Sequence, residues 1–252
     1  MNLLAAARAR GFKPDVALLP DPEDADLLAR VVMRPGPGAV DQELAAAIPA
    51  RHTHRGRFAE EPPTTTLSAM ASACQSLDVA FHLVEDAEVR DALVRLVGEG
   101  DRAQFADPSW RRELASWMHP RRRGDGLALP PVTGAVTRFV VSHLDVGPRT
   151  ADQDEKLTRQ APAVAVLMTA GDEELDWLLT GQALQRALLV AAAAGVQAGY
   201  SNQPCQVAAL RPKVRDALHL TGQPQVILRL GRPPSPAEPA PRRPLADVLD
   251  AA

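Results

Sequence analysis

Short apolar runs alternate with longer amphipathic stretches along this chain, and the clearest pair lies within residues 162–204. A valine-rich apolar run at residues 163–168 has the length of a buried strand. Residues 175–194 follow, and only Asp176 and Arg186 among them are charged, so we predict a helix that is apolar on most sides. Its uninterrupted apolar run is about half of the ~20 residues that a membrane span needs. We therefore predict a core strand followed by a core helix.

Residues at both ends support this helix. Three acidic residues, 172–174, stand where it would begin, and the free N–H groups of a helix N-terminus carry partial positive charge. Gly195 stands where it would end, and glycine adopts the left-handed cap conformation without a steric penalty.

Similar patterns recur along the rest of the chain. They predict further helices at residues 3–10, 41–48, 66–77, 87–97, 109–119 and 205–218. They predict further strands at residues 16–19, 27–33, 79–84 and 225–230. Because helices and strands alternate, we expect an α/β or α+β fold in which helices flank a sheet. Residues 120–159 are weakly periodic and rich in glycine and proline, which is typical of a lid, a binding loop or a partly disordered segment.

A faint internal repeat links residues 3–12 with residues 188–196. Both segments read as an alanine-rich helix end closed by glycine. Two unrelated alanine-rich helices with glycine caps would look the same, so the residues alone leave both interpretations open.

Composition narrows the possible partners. The net charge is -3 and only 4% of the residues are aromatic, which argues against a nucleic-acid-binding surface. Cys74 and Cys205 are far apart and in no metal-binding spacing, which fits the reducing cytosol. The 23 prolines and frequent alanine and arginine are typical of a GC-rich bacterial gene. We therefore expect a cytoplasmic, bacterial protein with no membrane or nucleic-acid partner.

Candidate chemistry is concentrated in residues 51–55, called the basic segment below. In an extended chain, alternate side chains share one side, so Arg51, Thr53 and Arg55 would face the same way. Two guanidinium groups and a hydroxyl group suit a phosphate, because guanidinium binds phosphate oxygens in a bidentate manner. A solvated basic loop remains an alternative, as does a metal site at His52 and His54 that would need further ligands.

Other catalytic signatures are missing from the sequence. It contains no glycine-rich phosphate loop, no nucleophile elbow and no Cys-x-x-Cys motif. If the protein is an enzyme, a cofactor would carry the chemistry. A second basic pair, Arg242 and Arg243, follows a proline-rich stretch near the end of the chain.

Five motifs together resemble the Acg-type branch of the nitroreductase-like family, and they lie at residues 51–55, 113–117, 181–185, 202–204 and 224–231. The resemblance implies an α+β flavoprotein fold with FMN as cofactor. Ordinary members are homodimers with FMN at the interface, whereas Acg-type chains resemble two fused halves. The family pattern therefore implies a pseudo-dimeric monomer or a homodimer, and fused halves would account for the internal repeat. We assign residues 1–50 to a remnant of the first half and residues 51–252 to the second, with 120–160 as a lid or insertion.

The resemblance also implies roles for individual residues. Arg51, Thr53 and Arg55 match the family's phosphate-binding segment, although His54 replaces the asparagine that is usual in Acg-type chains. A basic residue before a proline near the C-terminus also reaches the phosphate in the family, and it matches Arg242 with Arg243 beside it. The turn after the central helix passes the flavin ring near N5, and here it consists of Tyr200, Ser201, Asn202 and Gln203. This turn lacks the Glu-Gly pair of typical nitroreductases.

Acg-type chains also have a longer first half, with a Pro-Ser-x-x-Asn-x-Gln-Pro-Trp segment that contacts the flavin. The present sequence begins after that point, so we expect a shortened chain or a misassigned start codon. A truly shortened chain would lack one wall of the flavin site.

The resemblance implies an FMN-dependent oxidoreductase that uses NAD(P)H to reduce a small nitroaromatic or quinone-like acceptor. One alternative is a protein that binds and sequesters FMN without turnover, with residues 120–159 as its lid. A second alternative is a degraded scaffold that binds no flavin.

Overall fold

Helices and strands alternate along the chain as the sequence predicts. The computed structural model of the protein describes residues 1–36, 41–120, 127–129, 146–235 and 243–249. The helices are α1 (Asn2–Ala9), α2 (Gln42–Ala47), α3 (Thr64–Gln75), α4 (Ala87–Ala106), α5 (Pro108–Ser116), α6 (Gly147–Arg159), α7 (Glu174–Ala193), α8 (Gln203–Gln206) and α9 (Arg211–Ala217), with a short 3₁₀ helix at Leu245–Asp247. The strands are β1 (Phe12–Leu18), β2 (Ala29–Pro35), β3 (Ala80–Leu83), β4 (Met118–Pro120), β5 (Leu127–Leu129), β6 (Ala163–Thr169), β7 (Gln197–Tyr200) and β8 (Gln223–Gly231).

An antiparallel sheet in the order β3-β6-β8-β7 forms the centre of the fold. Successive side chains of a strand point to opposite faces, so each face of β6 contributes to a different core. Ala165 and Leu167 pack in the core beneath α3 and α7. Val164 and Val166 pack in the core beneath α4 and α9. The apolar run of β6 is therefore a strand buried on both faces, which confirms the predicted core strand.

Helix α7 crosses one face of this sheet and has the predicted boundaries. Glu173 and Asp176 form a reciprocal capping box at its N-terminus. Gly195 follows its C-terminus with φ +72°, a conformation that favours glycine. Burial of this helix is less complete than predicted, because Leu175 and Trp177 in its first turns are 46% and 52% exposed. Its second half carries most of the core contacts.

Part of the segment predicted to lack regular structure forms a helix. Residues 147–159 form helix α6, which packs along α4 and buries Ala151 and Thr158. The prediction of an irregular segment is wrong there, because α6 is too polar to show a clear apolar stripe. Residues 121–126 and 130–145 of the predicted lid lie outside the described residues.

Helix α4 extends to Ala106, beyond the predicted end at residue 97, and two glycines in its second half account for the error in the prediction. Gly98 and Gly100 would normally weaken a helix, but here they face neighbouring elements at close range. A Cβ at Gly100 would stand 2.7 Å from the Cβ of Gln203 in α8.

The prediction of a single helix at residues 205–218 is also wrong, since α8 and α9 are separate short helices.

The N-terminal elements lie at the periphery. Strands β1 and β2 form an antiparallel hairpin of their own, and most of its residues are exposed. Helix α1 packs on both β1 and α2, and α2 packs on the main body, where Ala47 meets Leu189 and Ala192 of α7. Among the described residues, none of the helices combines the length and apolar character needed to cross a bilayer.

Candidate functional site

A cleft of about 370 Å³ brings together three of the residues singled out in the sequence. We call it the Arg229 cleft, and it is lined by Thr53, Arg55, Gln153, Asp154, Tyr200 and Arg229. These residues come from the basic segment, helix α6 and strands β7 and β8. The volume lies within the ~300–1,000 Å³ that is typical of small-molecule sites.

Strand β7 holds the basic segment in place. The backbone N–H of His54 donates to the Ala198 carbonyl at 2.8 Å, and Thr53 forms a parallel bridge with Ala198. The Gln197 side chain accepts from the backbone N–H of His52 at 3.0 Å and donates to the Ala50 carbonyl at 3.2 Å. These bonds keep the segment extended beside the sheet.

Alternate side chains of the basic segment therefore have different surroundings. Thr53 and Arg55 line the cleft, whereas the His54 ring packs on Phe58 with ring centres 4.9 Å apart. The Nε2 atom of His54 also lies 2.8 Å from the Arg57 carbonyl oxygen.

Burial raises the pKa of the Tyr200 phenol, and the positive charge of Arg51 opposes that shift. Arg51 thus acts electrostatically on Tyr200 in the cleft wall.

Arg229 lies in the last of the five motifs, but the sequence analysis assigned it no role. It occupies a core strand and is only 4% exposed, although it carries a guanidinium group. Its Nη1 donates to the Gly56 carbonyl at 3.2 Å, and its Cζ lies 5.8 Å from the centre of the Phe58 ring. Burial lowers the pKa of Arg229, and the Asp154 charge opposes that effect. An arginine between leucines in a predicted strand was the available sequence signal.

Gly199 of β7 leaves space for the side chain of Arg229, which lies on the neighbouring strand β8. A Cβ at this position would stand 2.6 Å from the His54 carbonyl oxygen and 2.7 Å from Nη2 of Arg229. Both distances are shorter than van der Waals contact. The absence of a side chain at Gly199 is therefore required for the basic segment and Arg229 to meet.

A half-buried carboxyl group in the cleft wall, that of Asp154, lies close to the buried carboxyl group of Asp101, and the sequence analysis missed both. Nε2 of Gln203 donates to Oδ2 of Asp154 at 2.7 Å and to Oδ1 of Asp101 at 3.2 Å. Burial, reinforced by the charge of Asp154, raises the pKa of Asp101 to about 7. Burial also raises the pKa of Asp154, against the opposing effects of Arg229 and Gln203. We call Asp101 and Asp154 the carboxyl pair.

The other predicted turn residues have structural partners. Ser201 is buried, and its hydroxyl group shares a 2.8 Å hydrogen bond with Thr158 of α6. The Asn202 side-chain oxygen accepts from the backbone N–H of Ile227 at 3.0 Å. With Gln203 bound to the carboxyl pair, these side chains attach the turn to α6, β8 and α4.

The predicted C-terminal basic pair is only half described. Arg243 is exposed, and Arg242 lies outside the described residues. Within the described part of the chain, no group of three or more His, Cys, Asp or Glu side chains is placed to bind a metal ion.

Comparison with known proteins places this geometry in context. No family model matches the chain. The Mycobacterium tuberculosis protein named "Putative NAD(P)H nitroreductase Rv3131" is 28% identical over 259 residues, covering 99% of this chain and 74% of that protein. The protein named "Putative NAD(P)H nitroreductase acg" from the same organism is 26% identical over 252 residues, covering 97% and 76%. These similarities support the nitroreductase-like family that the motifs indicate.

Solved structures agree on the architecture. The FMN-dependent nitroreductase NfnB from Mycobacterium smegmatis, in complex with NADPH, has a TM-score of 0.53 at 16% identity, covering 85% of this chain and all of that one. The FMN- and NADPH-dependent nitroreductase NfnB from a Sphigopyxis strain has a TM-score of 0.53 at 20% identity, covering 83% and 98%. This chain has a nitroreductase-like α+β fold. Within that fold, the Arg229 cleft lies where the basic segment meets the turn after the central helix.

Proposed function

We propose that this protein is an FMN-dependent oxidoreductase of the nitroreductase type, which uses NAD(P)H to reduce a small nitroaromatic or quinone-like acceptor. One observation carries the proposal. Thr53 and Arg55 line the same cleft as Tyr200, although nearly 150 residues separate them in sequence. The names of the similar proteins, and the FMN and NADPH in the names of the similar structures, support the same function.

The residues of the Arg229 cleft fit a phosphate group. Arg55 is exposed and Arg229 is buried, and the hydroxyl group of Thr53 lies in the same wall. Two guanidinium groups outweigh the single carboxyl group of Asp154, so the cleft favours an anion. Charge-assisted hydrogen bonds of this kind contribute about 1.5–3 kcal/mol each.

Each residue then has a role in binding or orientation. Arg55 and Thr53 would bind the FMN phosphate, and the family resemblance implies the same role for Arg51, Arg242 and Arg243. The turn from Tyr200 to Gln203 would border the flavin ring, and its buried contacts would keep it rigid. Bound FMN would supply hydride-transfer chemistry, and the protein would supply placement and electrostatics.

The proposal includes an arrangement of two nitroreductase-like halves, as a pseudo-dimeric monomer or as a homodimer in the cytoplasm. The boundary would lie between residues 50 and 51. Ala47 of α2 packs with Leu189 and Ala192 of α7, so residues on both sides of that boundary share a core. This shared core supports a pairing of the first half with the central helix.

A titration of FMN fluorescence with the purified protein tests cofactor binding. Arg55→Ala should weaken FMN binding by about 1.5–3 kcal/mol, which is roughly ten- to a hundredfold in the dissociation constant. Arg57→Ala is the matched control, because Arg57 is exposed in the same stretch and does not line the cleft. Equal dissociation constants for both variants would place the phosphate elsewhere.

Turnover distinguishes the enzyme from a protein that sequesters FMN. NADPH or NADH should reduce the bound flavin, and a nitroaromatic compound should reoxidise it, as followed by flavin absorbance near 450 nm. Bound flavin that resists both nucleotides would support sequestration. A folded protein that takes up no FMN would overturn the proposal and support the flavin-free scaffold.

A further inference from the structure

The carboxyl pair is linked to the Arg229 cleft through one amide group. A single nitrogen atom, Nε2 of Gln203, donates to Asp154 at 2.7 Å and to Asp101 at 3.2 Å. The two carboxyl groups therefore lie within the ~4–6 Å over which one charge shifts the pKa of another. Asp154 lines the cleft, whereas Asp101 lies behind it on α4 and is 2% exposed. The pair thus connects the cleft wall with the protein interior.

Full ionisation of this pair is unfavourable. Oδ2 of Asp101 and Oε1 of Gln203 are buried, and neither has a hydrogen-bond partner among the described residues. A buried carboxylate oxygen without a partner costs more than a protonated one, because the charge makes the loss of hydration larger. A proton on the pair removes that charge without changing the packing.

The groups that shift the pKa values of the pair come from four elements. Asp101 is influenced by Arg102 on its own helix and by Asp154 and Glu155 on α6. Arg102 and Glu155 form a 2.9 Å ion pair, so their charges largely cancel. Asp154 is influenced by Arg229 on β8 and by Gln203 on α8. Arg229 is therefore the main cation facing the pair, and it also lines the cleft.

An anion in the cleft would compete with Asp154 for Arg229. The guanidinium group of Arg229 is buried, so water screens its charge weakly. When the pair is fully ionised, Asp154 repels the anion, and its negative charge offsets part of the positive potential of Arg229. When the pair holds a proton, the repulsion is lost and Arg229 is available to the anion.

We propose that the carboxyl pair takes up a proton when an anionic ligand binds in the Arg229 cleft, so that cofactor binding is linked to pH. The inference rests on the proposed function for the identity of the ligand, FMN, and on the cleft itself for the linkage. The pKa of about 7 for Asp101 agrees with it, since such a group gains a proton near neutral pH when negative charge arrives, and the pKa of Asp154 is raised in the same direction by burial.

The sign of the effect follows from the same linkage. An anion raises the pKa of the pair, so the complex binds more protons than the free protein. Affinity for the anion then falls as pH rises through the pKa values of the free and the bound pair. With one linked proton the dissociation constant rises by at most about tenfold per pH unit. FMN itself gains negative charge near pH 6, which acts in the opposite direction, so a probe of constant charge is needed.

Isothermal titration calorimetry with sulfate and with FMN tests the proposal on the whole protein. Sulfate keeps its charge from about pH 5 to about pH 9, so its affinity reports the protein's protons alone. Titrations at pH 7 in buffers with different ionisation enthalpies measure the proton uptake directly. We expect a sizeable fraction of one proton per bound sulfate, and a sulfate affinity that falls from pH 6 to pH 8.

Two substitutions identify the groups involved. Asp101→Asn keeps the shape of the side chain and removes its titration, so it should abolish most of the proton uptake and flatten the pH dependence. Asp152→Asn is the matched control, because Asp152 is exposed on α6 and does not line the cleft. It should behave like the wild type.

The outcomes separate this inference from the proposed function. Binding of sulfate by the wild-type protein without proton uptake would overturn the inference and leave the proposed function standing. Proton-linked binding of sulfate without binding of FMN would overturn the proposed function alone. Failure of both anions to bind would overturn both. The wild-type titrations decide the matter even if Asp101→Asn does not fold.

Discussion

Asp101 links the pH of the solution to the stability of the folded protein. Its burial raises its pKa to about 7, whereas an aspartate in an unfolded chain titrates near ~3.9. Between about pH 4 and about pH 7 the folded protein holds a proton that the unfolded chain has lost, so the free energy of unfolding falls as pH rises. Urea unfolding across this window should show a contribution of up to ~1.4 kcal/mol per pH unit from this group, and Asp101→Asn should remove it.

The control for this stability prediction is Asp152→Asn, since Asp152 is exposed on α6. It should leave the slope of stability against pH unchanged. The pKa of Asp154 is also raised, so a residual slope of the same sign is expected in Asp101→Asn. Parallel curves for the wild type and Asp101→Asn would show that Asp101 is ionised throughout the window in the folded protein.

Single residues differ in how well the sequence reveals them. Thr53 and Arg55 could be found because alternation in an extended segment is a local property. Asp101 and Asp154 could not, because their environment depends on the contact of α4 with α6 and on Gln203, which lies 102 residues after Asp101 and 49 residues after Asp154. Aspartates on polar helix faces are common, and only burial distinguishes these two.

Helix α4 illustrates how close packing between elements depends on glycine. Alanine at Gly100 would place Cβ 2.7 Å from Cβ and 2.9 Å from the carbonyl carbon of Gln203. Alanine favours a helix by about 1 kcal/mol over glycine, but overpacking costs about 1–3 kcal/mol. We expect Gly100→Ala to lower the free energy of unfolding by up to about 2 kcal/mol and to weaken FMN binding, because it displaces Gln203.

The matched control lies in α7. Gly181 is exposed within that helix, and no described atom lies within 4 Å of the position its Cβ would occupy. Gly181→Ala should therefore raise the free energy of unfolding by about 0.5–1 kcal/mol without affecting binding. Equal effects of the two substitutions in chemical denaturation would mean that α8 can move away from α4 at little cost.

Helices and strands could be predicted where a local sequence pattern marks them. Strand β6 and helix α7 could be placed because an apolar run, acidic residues at the helix start and a glycine cap mark them directly. Helix α6 and the second half of α4 could not, because glycines and polar residues weaken the pattern and contacts between the two helices determine the outcome. Strand β7 was missed because its four residues are ordered by pairing with β8 and with the basic segment.

At the scale of the whole molecule, the two cores on opposite faces of the sheet share β6 and β8. Leu167 and Leu228 belong to one core, whereas Val166 and Ile227 belong to the other. Neither core can open without disrupting these two strands. The β1–β2 hairpin differs, because Phe12, Val32 and Met33 are more than one third exposed and, within the described part of the chain, its strands pair only with each other.

This contrast predicts a gradient of local stability. Amides of β6 and β8 should exchange with solvent deuterium only through global unfolding, because both faces of these strands are buried. Amides of the β1–β2 hairpin should exchange orders of magnitude faster through local opening, since few buried contacts oppose it. Hydrogen–deuterium exchange followed by mass spectrometry of the corresponding peptides measures both rates.

Adding urea should accelerate exchange in β6 and β8 steeply and in the hairpin only weakly. The slope of the opening free energy against urea concentration scales with the surface exposed on opening. Equal slopes would mean that the hairpin unfolds together with the core.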